Sequence, residues 1–343
     1  MKNVIVIGGG VAGMESSAQL ADMGYQVTLV EKESKLGGHV DQWDFLFPNH
    51  RPAREIIDSL KQRLNYKVEV KLGTEVESMQ RNNGQYAVKL NSTEVLHADA
   101  LLLASGFDLF PAQKKEEYGY GIYNHVITAA DLEEIFRSGN LRKVVSGNTH
   151  RIGIVHCVGS RDEKVGNEYC SKVCCVTGVK QAIRLREALP EYEVFNFYMD
   201  LRMFGRYFED LYREAQEKWG VQFVRGRVSE ASEDVKGNVV VKVEDTLAGR
   251  PMKISLDLLI LLTGFIPSKG TSRLGDLLQL EFGSDRFLKP ADEHLLRNHS
   301  KLEGVFLAGA CTGPRSIAET ITDARAAVLE IAAFFRDKVT VHE

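Results

Sequence analysis

The chain opens on a short apolar run, Asn3-Val4-Ile5-Val6-Ile7, that meets three consecutive glycines, Gly8-Gly9-Gly10, and then Val11, Ala12 and Gly13. No other stretch restricts the fold as strongly. A buried strand, then G-x-G-x-x-G, then a helix is the turn of a dinucleotide-binding βαβ unit. Gly8 permits the tight turn, Gly10 lets backbone approach a pyrophosphate, and Gly13 lets the helix pack close to the sheet. The N-terminus of a helix over 11–23 then presents unpaired N–H groups to the phosphates. Glu31 closes a second strand over 26–30, about twenty residues on, where a carboxylate accepts ribose hydroxyls. Strand, helix and acid are in register, so this segment is expected to bind a dinucleotide.

The 343 residues leave room for two domains, and 44% hydrophobic with 26% charged residues is an ordinary globular mix. A net charge of −4 gives no electrostatic case for nucleic acid or an anionic membrane surface. No stretch approaches the roughly eighteen apolar residues of a membrane span, and the N-terminal apolar run is too short for a signal peptide. The expected location is cytoplasmic, with no direct membrane insertion.

Beyond the opening unit, strands and helices alternate, which favours an α/β fold with parallel sheets. A helix is expected near 52–64, with strands at 66–71, 75–80, 85–90 and 100–104. A second unit carries expected strands at 152–156, 194–199, 221–224, 239–243 and 256–262, and helices at 171–189 and 207–218. The chain then returns with a strand at 304–308 and a helix at 316–336. One domain, residues 1–111 and 265–343, is thus expected from both chain ends, with 112–264 inserted.

The run Glu31-Lys32-Glu33-Ser34-Lys35-Leu36-Gly37-Gly38 resembles the second FAD motif of two-dinucleotide-binding-domain flavoproteins, the thioredoxin-reductase-like class with two Rossmann-type domains, one for FAD and one for NAD(P). Ala104-Ser105-Gly106 resembles their Ala-Thr-Gly motif, and 304–309 their C-terminal flavin motif. The resemblance implies FAD. It implies flavin contacts at Gly8, Gly10, Val11, Ala12 and Gly13 in the turn, and at Glu31, Lys32, Gly37, Gly38 and His39 after it. Val76, Ala104, Ser105, Gly106, Gly309, Ala310 and Ile317 complete the set. A helix near Ser316 and Ile317 would aim its positive end at the flavin ring. The class usually has Asp after the last glycine; Ala310 stands there, followed by Cys311, so contacts there are expected from backbone. A structural hydrogen bond is as good a reading of His39 as flavin contact.

In that class the middle domain repeats the glycine fingerprint for NAD(P)H. Here the strand at 152–156 runs into Cys157-Val158-Gly159-Ser160-Arg161-Asp162, which keeps only the middle glycine. A cysteine would crowd the turn and Asp162 would oppose a pyrophosphate, so no nicotinamide site is expected. Four of the five cysteines, Cys157, Cys170, Cys174 and Cys175, fall close together. In a reducing compartment such a group suggests metal or redox chemistry. On a helix, Cys170 and Cys174 would share one face. Four thiolates suit zinc or an iron–sulfur cluster. Adjacent Cys174 and Cys175 would strain a single tetrahedral ion, whereas a cubane offers separate irons. Arg161, Lys164, Lys172 and a helix N-terminus could offset an anionic cluster. Inert thiols, structural zinc and a vicinal Cys174–Cys175 disulfide remain open.

The segments VHCVGSRDEKVGNEYCSKVCC (155–175), YMDLRMFG (198–205), GGHVDQWDFLFP (37–48) and GVFLAGACTGP (304–314) resemble the A-type flavin subunit of heterodisulfide reductase. The resemblance implies that Cys157, Cys170, Cys174 and Cys175 bind a 4Fe–4S cluster. The methanogen subunits are longer, with ferredoxin-type cysteine runs and cysteines shortly after the GGH motif; Pro48-Asn49-His50-Arg51 stand in the latter place here. These differences count against electron bifurcation, and the compact form resembles the A-type subunit of the heterodisulfide-reductase-like complexes of sulfur-oxidising prokaryotes. The resemblance thus implies an oxidoreductase subunit exchanging electrons between FAD and the cluster, with B- and C-type subunits as partners. A lipoate-binding sulfur carrier would be reached through the complex, and a homodimer is implied. Competing readings are the flavin subunit of a quinone-interacting complex, an NAD(P)H-dependent disulfide oxidoreductase using Cys174 and Cys175, and a zinc-stabilised binding module. No Ser-His-Asp set, HExxH or P-loop supports hydrolysis or phosphoryl transfer. Tyr198, Met199 and Phe204 are expected in the core.

Overall fold

The computed structural model describes residues 1–145 and 147–340; residues 146 and 341–343, inside the expected domain segments, lie outside the described residues. Contacts divide the chain into two compact units, Met1–Asp41 with Arg54–Asp108 and Ile266–Glu343, and Gln42–Ala53 with Leu109–Phe265. The division expected from the sequence differs chiefly at Gln42–Ala53, which it places with the flavin domain.

The first unit is built on a five-stranded parallel sheet in the order Val305–Leu307, Ala100–Leu103, Asn3–Ile7, Gln26–Val30 and Val68–Lys71. Its strands read as continuous apolar runs because both faces are covered; Leu101, Leu102 and Leu103 are fully buried. An antiparallel sheet of Val76–Asn82, Gln85–Leu90 and Val95–Ala98 adds Val76, Met79, Tyr86 and Val88 to the same core. The buried Glu15 of helix Val11–Asp22 accepts from Arg325 at 2.7 Å and from Arg63. Burial alone would raise its carboxyl, but Arg325, Gln19 and Arg63 hold it below the usual range.

The second unit repeats the parallel sheet, in the order Val126–Thr128, Leu258–Thr263, Arg151–Val158, Glu193–Tyr198 and Gln222–Arg225. The run expected as one strand at 256–262 is two. Asp257, 1% exposed, accepts from the backbone N–H groups of Thr149 (3.1 Å) and His150 (2.8 Å). It separates Arg250–Leu256, an antiparallel partner of Val239–Asp245, from the parallel strand Leu258–Thr263. Gln42–Ala53 joins this unit through polar contacts: the Asp44 N–H donates to Glu133 (3.0 Å), and Lys180 donates to the Phe45 carbonyl (2.9 Å).

Two local expectations change. The helix expected from 171 starts at Cys174 and spans Cys174–Ala188, because Lys172 takes a left-handed φ of +65°. Phe204, expected in the core, is 68% exposed on the loop after Glu193–Tyr198, while Tyr198 and Met199 are half-buried.

Candidate functional site

In the first unit the glycine turn has the geometry its residues require. Gly8 sits at φ +114°, and a Cβ there would lie 2.4 Å from the Ala104 carbonyl oxygen. A Cβ on Gly13 would lie 1.8 Å from the Gly8 carbonyl oxygen. Around Gly10, by contrast, no described atom beyond its two chain neighbours lies within 4 Å of an added Cβ. Gly10 is also the N-cap of helix Val11–Asp22, which has no side-chain cap and no acid in its first turn. The first-turn N–H groups, those of Val11 and Ala12 among them, therefore open toward space that an anion can fill.

Other expected residues close on this turn. Gly37 N–H donates to the Gly9 carbonyl at 2.9 Å, and a Cβ on Gly38 would stand 3.4 Å from Gly10 Cα. Glu31, 8% exposed, accepts from the N–H groups of Gly9 (2.5 Å) and Glu33 (2.8 Å). A carboxylate so fixed keeps lone pairs for a hydroxyl ligand. Gly309, at φ +76°, would bring a Cβ within 2.7 Å of Ala12 Cβ, so the C-terminal motif also abuts the turn.

Several expected side chains are committed elsewhere. The Ser105 hydroxyl meets Thr271 Oγ1 at 2.8 Å, and the Gly106 carbonyl accepts from that threonine at 3.1 Å. His39 Nε2 donates to the Phe107 carbonyl at 2.9 Å and its ring stacks on Phe107 at 4.6 Å, which is the structural reading. Lys32 pairs at the surface with Glu33 at 3.7 Å. The Val76 side chain is 5% exposed and packs in the core, leaving its backbone for ligand contact. Ile317 opens helix Ile317–Thr340, where Ser316 N–H donates to Glu319 (2.9 Å) and Glu319 N–H to Ser316 Oγ (3.3 Å).

The acid missing at Ala310 has a counterpart that the sequence motifs do not indicate. Asp323, on the terminal helix, accepts from Gly309 N–H and from Arg315 Nη1, both at 2.7 Å. Its carboxylate holds the loop from behind, at a site thirteen residues beyond Ala310. Cys311 is 0% exposed, donates to the Leu103 and Ala308 carbonyls, and is pushed up to about 12 by burial.

In the second unit the place of a second fingerprint is taken by a loop. Cys157 (φ +59°), Gly159 (+71°) and Arg161 (+53°) turn the chain away from strand Arg151–Val158. Arg161 N–H donates to the Tyr169 carbonyl (2.9 Å), and Asp162 and Asn167 pair through backbone at 2.9 and 3.1 Å. The following helix waits until Cys174, so no helix N-terminus meets the strand end as it does at Gly10. Asp162 does not face open space: it is 2% exposed and paired with Lys115 (2.7 Å) and Arg227 (2.8 Å).

The loop gathers the four thiols. Each of Cys157, Cys170, Cys174 and Cys175 interacts electrostatically with the other three. Cys157, Cys174 and Cys175 are buried and all four are free. Burial pushes Cys157 up to about 11, Cys174 well up, and Cys175 upward. Cys170 lies in the loop rather than on the helix face, and its sulfur accepts Lys172 N–H at 3.3 Å. Cys174 and Cys175 open a helix with no side-chain cap and no acid in its first turn. Of the expected cations, Lys164 is exposed, and the arginines acting on the thiols are Arg161 and Arg202. Among the described residues no group of three or more His, Cys, Asp or Glu is placed to hold a single metal ion. Three buried thiols and the half-buried Cys170 near a positive helix end fit a group that binds each cysteine at a different iron and takes their protons on binding.

Residues 1–133 match the family described as pyridine nucleotide-disulphide oxidoreductase. The iron-sulfur A-type subunit of CoB–CoM heterodisulfide reductase from Methanocaldococcus jannaschii is 30% identical over 96% of this chain and 64% of its own length. The A-type subunit of the H2/formate:CoB-CoM heterodisulfide,ferredoxin reductase of Methanococcus maripaludis is 29% identical over the same shares. The chain thus spans less than two thirds of these relatives. In structure it matches thioredoxin reductase from T. acidophilum (TM-score 0.65, 17% identity, 99% of this chain and 100% of that one). Lactococcus lactis thioredoxin reductase matches similarly (0.67, 16%, 98% and 100%). No helix among the described residues is long and apolar enough to cross a membrane. Along 96% of its length the chain is similar to the A-type subunits of heterodisulfide reductase, and it has a thioredoxin-reductase-like fold.

Proposed function

We propose that the chain is an electron-transfer oxidoreductase subunit that holds FAD in its first unit and a 4Fe–4S cluster in its second. The observation that carries this reading is the contrast between the two units. One keeps an open glycine turn at Gly8, Gly10 and Gly13, and the other puts four mutually interacting thiols in the corresponding place. Bound there, flavin and cluster would supply the exchange between two-electron and one-electron chemistry. The chain's part is to bind and orient. The Val11–Asp22 helix end takes the pyrophosphate, Gly10 leaves room for its approach, Glu31 takes the ribose, and Gly37 and Gly38 leave room beside the turn. Cys157, Cys170, Cys174 and Cys175 would ligate iron, and the burial of Cys157, Cys174 and Cys175 limits the access of water.

By likeness to its relatives, the protein would work in a heterodisulfide-reductase-like complex with B- and C-type subunits, as a homodimer. Pro48-Asn49-His50-Arg51, standing where the methanogen subunits carry cysteines, favour cytoplasmic sulfur oxidation, with a lipoate-binding carrier met through the complex. The substrate chemistry would sit on partner subunits. Direct NAD(P)H chemistry is disfavoured by the displaced helix at Cys174, and a Cys174–Cys175 redox pair by thiols whose burial suppresses the reactive thiolate. Anaerobic purification with flavin, iron, sulfide and zinc analysis tests the reading. One FAD with about four irons and four sulfides is expected; one zinc without sulfide, or rapid flavin reduction by micromolar NADH, would overturn it.

A further inference from the structure

Arg161 is held in an unusual way. It occupies a left-handed conformation, φ +53°, in the middle of the cysteine loop. Its Nη2 donates to Asp200 at 2.6 Å, while its Nη1 is buried without an acceptor of ordinary hydrogen-bond geometry among the described residues, although the guanidinium also reaches the Cys157 thiol as a weak hydrogen-bond partner. A buried guanidinium N–H left without a good acceptor is costly, and native structures rarely carry one without reason. The surroundings indicate the missing acceptor. The guanidinium charge acts on Cys157, Cys170 and Cys175, and Cys175 Sγ donates to the backbone carbonyl of Asp200, the residue that anchors Nη2. Asp200 therefore fixes the fork from one end, with the other end left inside the thiol group.

We propose that Arg161 is a potential-setting ligand contact of the cysteine site: its Nη1 donates to a sulfur of the cluster held by Cys157, Cys170, Cys174 and Cys175, with Asp200 as its positioning residue. This rests on the cluster reading above. A charged donor to a cluster sulfur stabilises the reduced, more anionic state over the oxidised one, so it raises the reduction potential. Arginine suits this role because its planar fork serves two acceptors in fixed directions and stays charged. Lys164 and Lys172 in the same loop are not needed for it.

The test uses the full chain purified anaerobically, with iron and sulfide counted and the cluster midpoint read by EPR-monitored redox titration. Arg161→Met and Arg161→Gln both remove the charge, and whichever retains its iron is read. The expected result is unchanged iron content with the reduction equilibrium weakened roughly tenfold, 59 mV for a one-electron couple. An unchanged midpoint in a loaded variant overturns the role of Arg161 while leaving the cluster in place. Wild-type protein without iron and sulfide overturns the cluster reading itself, and the proposal with it. Loss of iron from both variants overturns the potential-setting role in favour of a requirement for assembly.

Discussion

Lys180 Nζ lies 2.5 Å from Glu133 Oε1, with the two residues only 5% and 4% exposed. The same ammonium donates to the Phe45 carbonyl, and Glu133 also accepts from Asp44 N–H and from Gln181. This ion pair helps fasten Gln42–Ala53 into the second unit, beside Arg184 over the Phe45 ring at 4.6 Å and Phe47 edge-on to Phe208 at 5.5 Å. Breaking one partner of a buried pair leaves an uncompensated charge and costs about 3–5 kcal/mol. Lys180→Met should therefore lower the denaturation midpoint substantially and make residues 42–53 sensitive to protease. A loss below about 1 kcal/mol, the range of a surface pair, would contradict the assignment.

Two glycines of the first turn should fail in different ways. Gly8→Ala places a Cβ 2.4 Å from the Ala104 carbonyl at a φ that disfavours L residues, so it should destabilise the protein with or without flavin. Gly10→Ala meets open space at φ −77°, so the apoprotein should melt as wild type does. Its methyl would instead occupy the ligand's approach and weaken FAD binding at least about tenfold, or 1.4 kcal/mol. Melting curves of apoprotein and flavin titrations separate the two; equal FAD affinity in Gly10→Ala would remove the turn from the flavin site.

Cys311 should behave as an inert apolar residue despite its place in the C-terminal motif. Its folded thiol is pushed up to about 12 from an ordinary value of 9, so the thiolate is scarce at neutral pH. Any stability it lends is full below about pH 9 and fades as pH rises through 12. Iodoacetamide at pH 8 should leave Cys311 unmodified in the native protein and label it after denaturation. Rapid native labelling, read by mass spectrometry, would refute this.

Asp162 gives an acid-side prediction. Burial raises its carboxyl, but Lys115 and Arg227 outweigh that and hold it below the usual range. Its contribution is thus present above the unfolded carboxyl value, about 3.9, and lost as pH falls through the lower folded one. At pH 7, Asp162→Asn leaves Lys115 sharing only Glu117 at 2.6 Å and should cost about 3 kcal/mol. The gap between variant and wild type should narrow below about pH 4, as followed by chemical denaturation at both pH values.

The first turn was legible because every constraint on it is local: strand, glycines and helix follow one another, and Glu31 comes one strand later. Gln42–Ala53 was not legible because its partners Glu133 and Lys180 are far along the chain, and nothing in Asp44 or Phe45 names them. The helix start at Cys174 was misplaced for a subtler reason. Spacing of four between Cys170 and Cys174 is the same in a helix or a loop, and the left-handed Lys172 that decides between them carries no glycine to announce it. Asp257 likewise hid a strand boundary inside an apolar run. By contrast, Thr128 and Asp131 form a reciprocal capping box at the start of helix Ala129–Ser138, a signal present in the sequence and passed over.

The excursion from 159 to 173 leaves a strand and rejoins a helix whose parallel sheet keeps its five-stranded order. Of the four thiols only Cys170 lies inside that excursion; Cys157 sits at the end of the strand and Cys174 and Cys175 in the first turn of the helix, so loop and scaffold carry the group jointly. Moving the thiol group to another dinucleotide-binding unit would therefore mean rewriting a strand end and a first helical turn as well as the loop between them, with the five-stranded order left as it is.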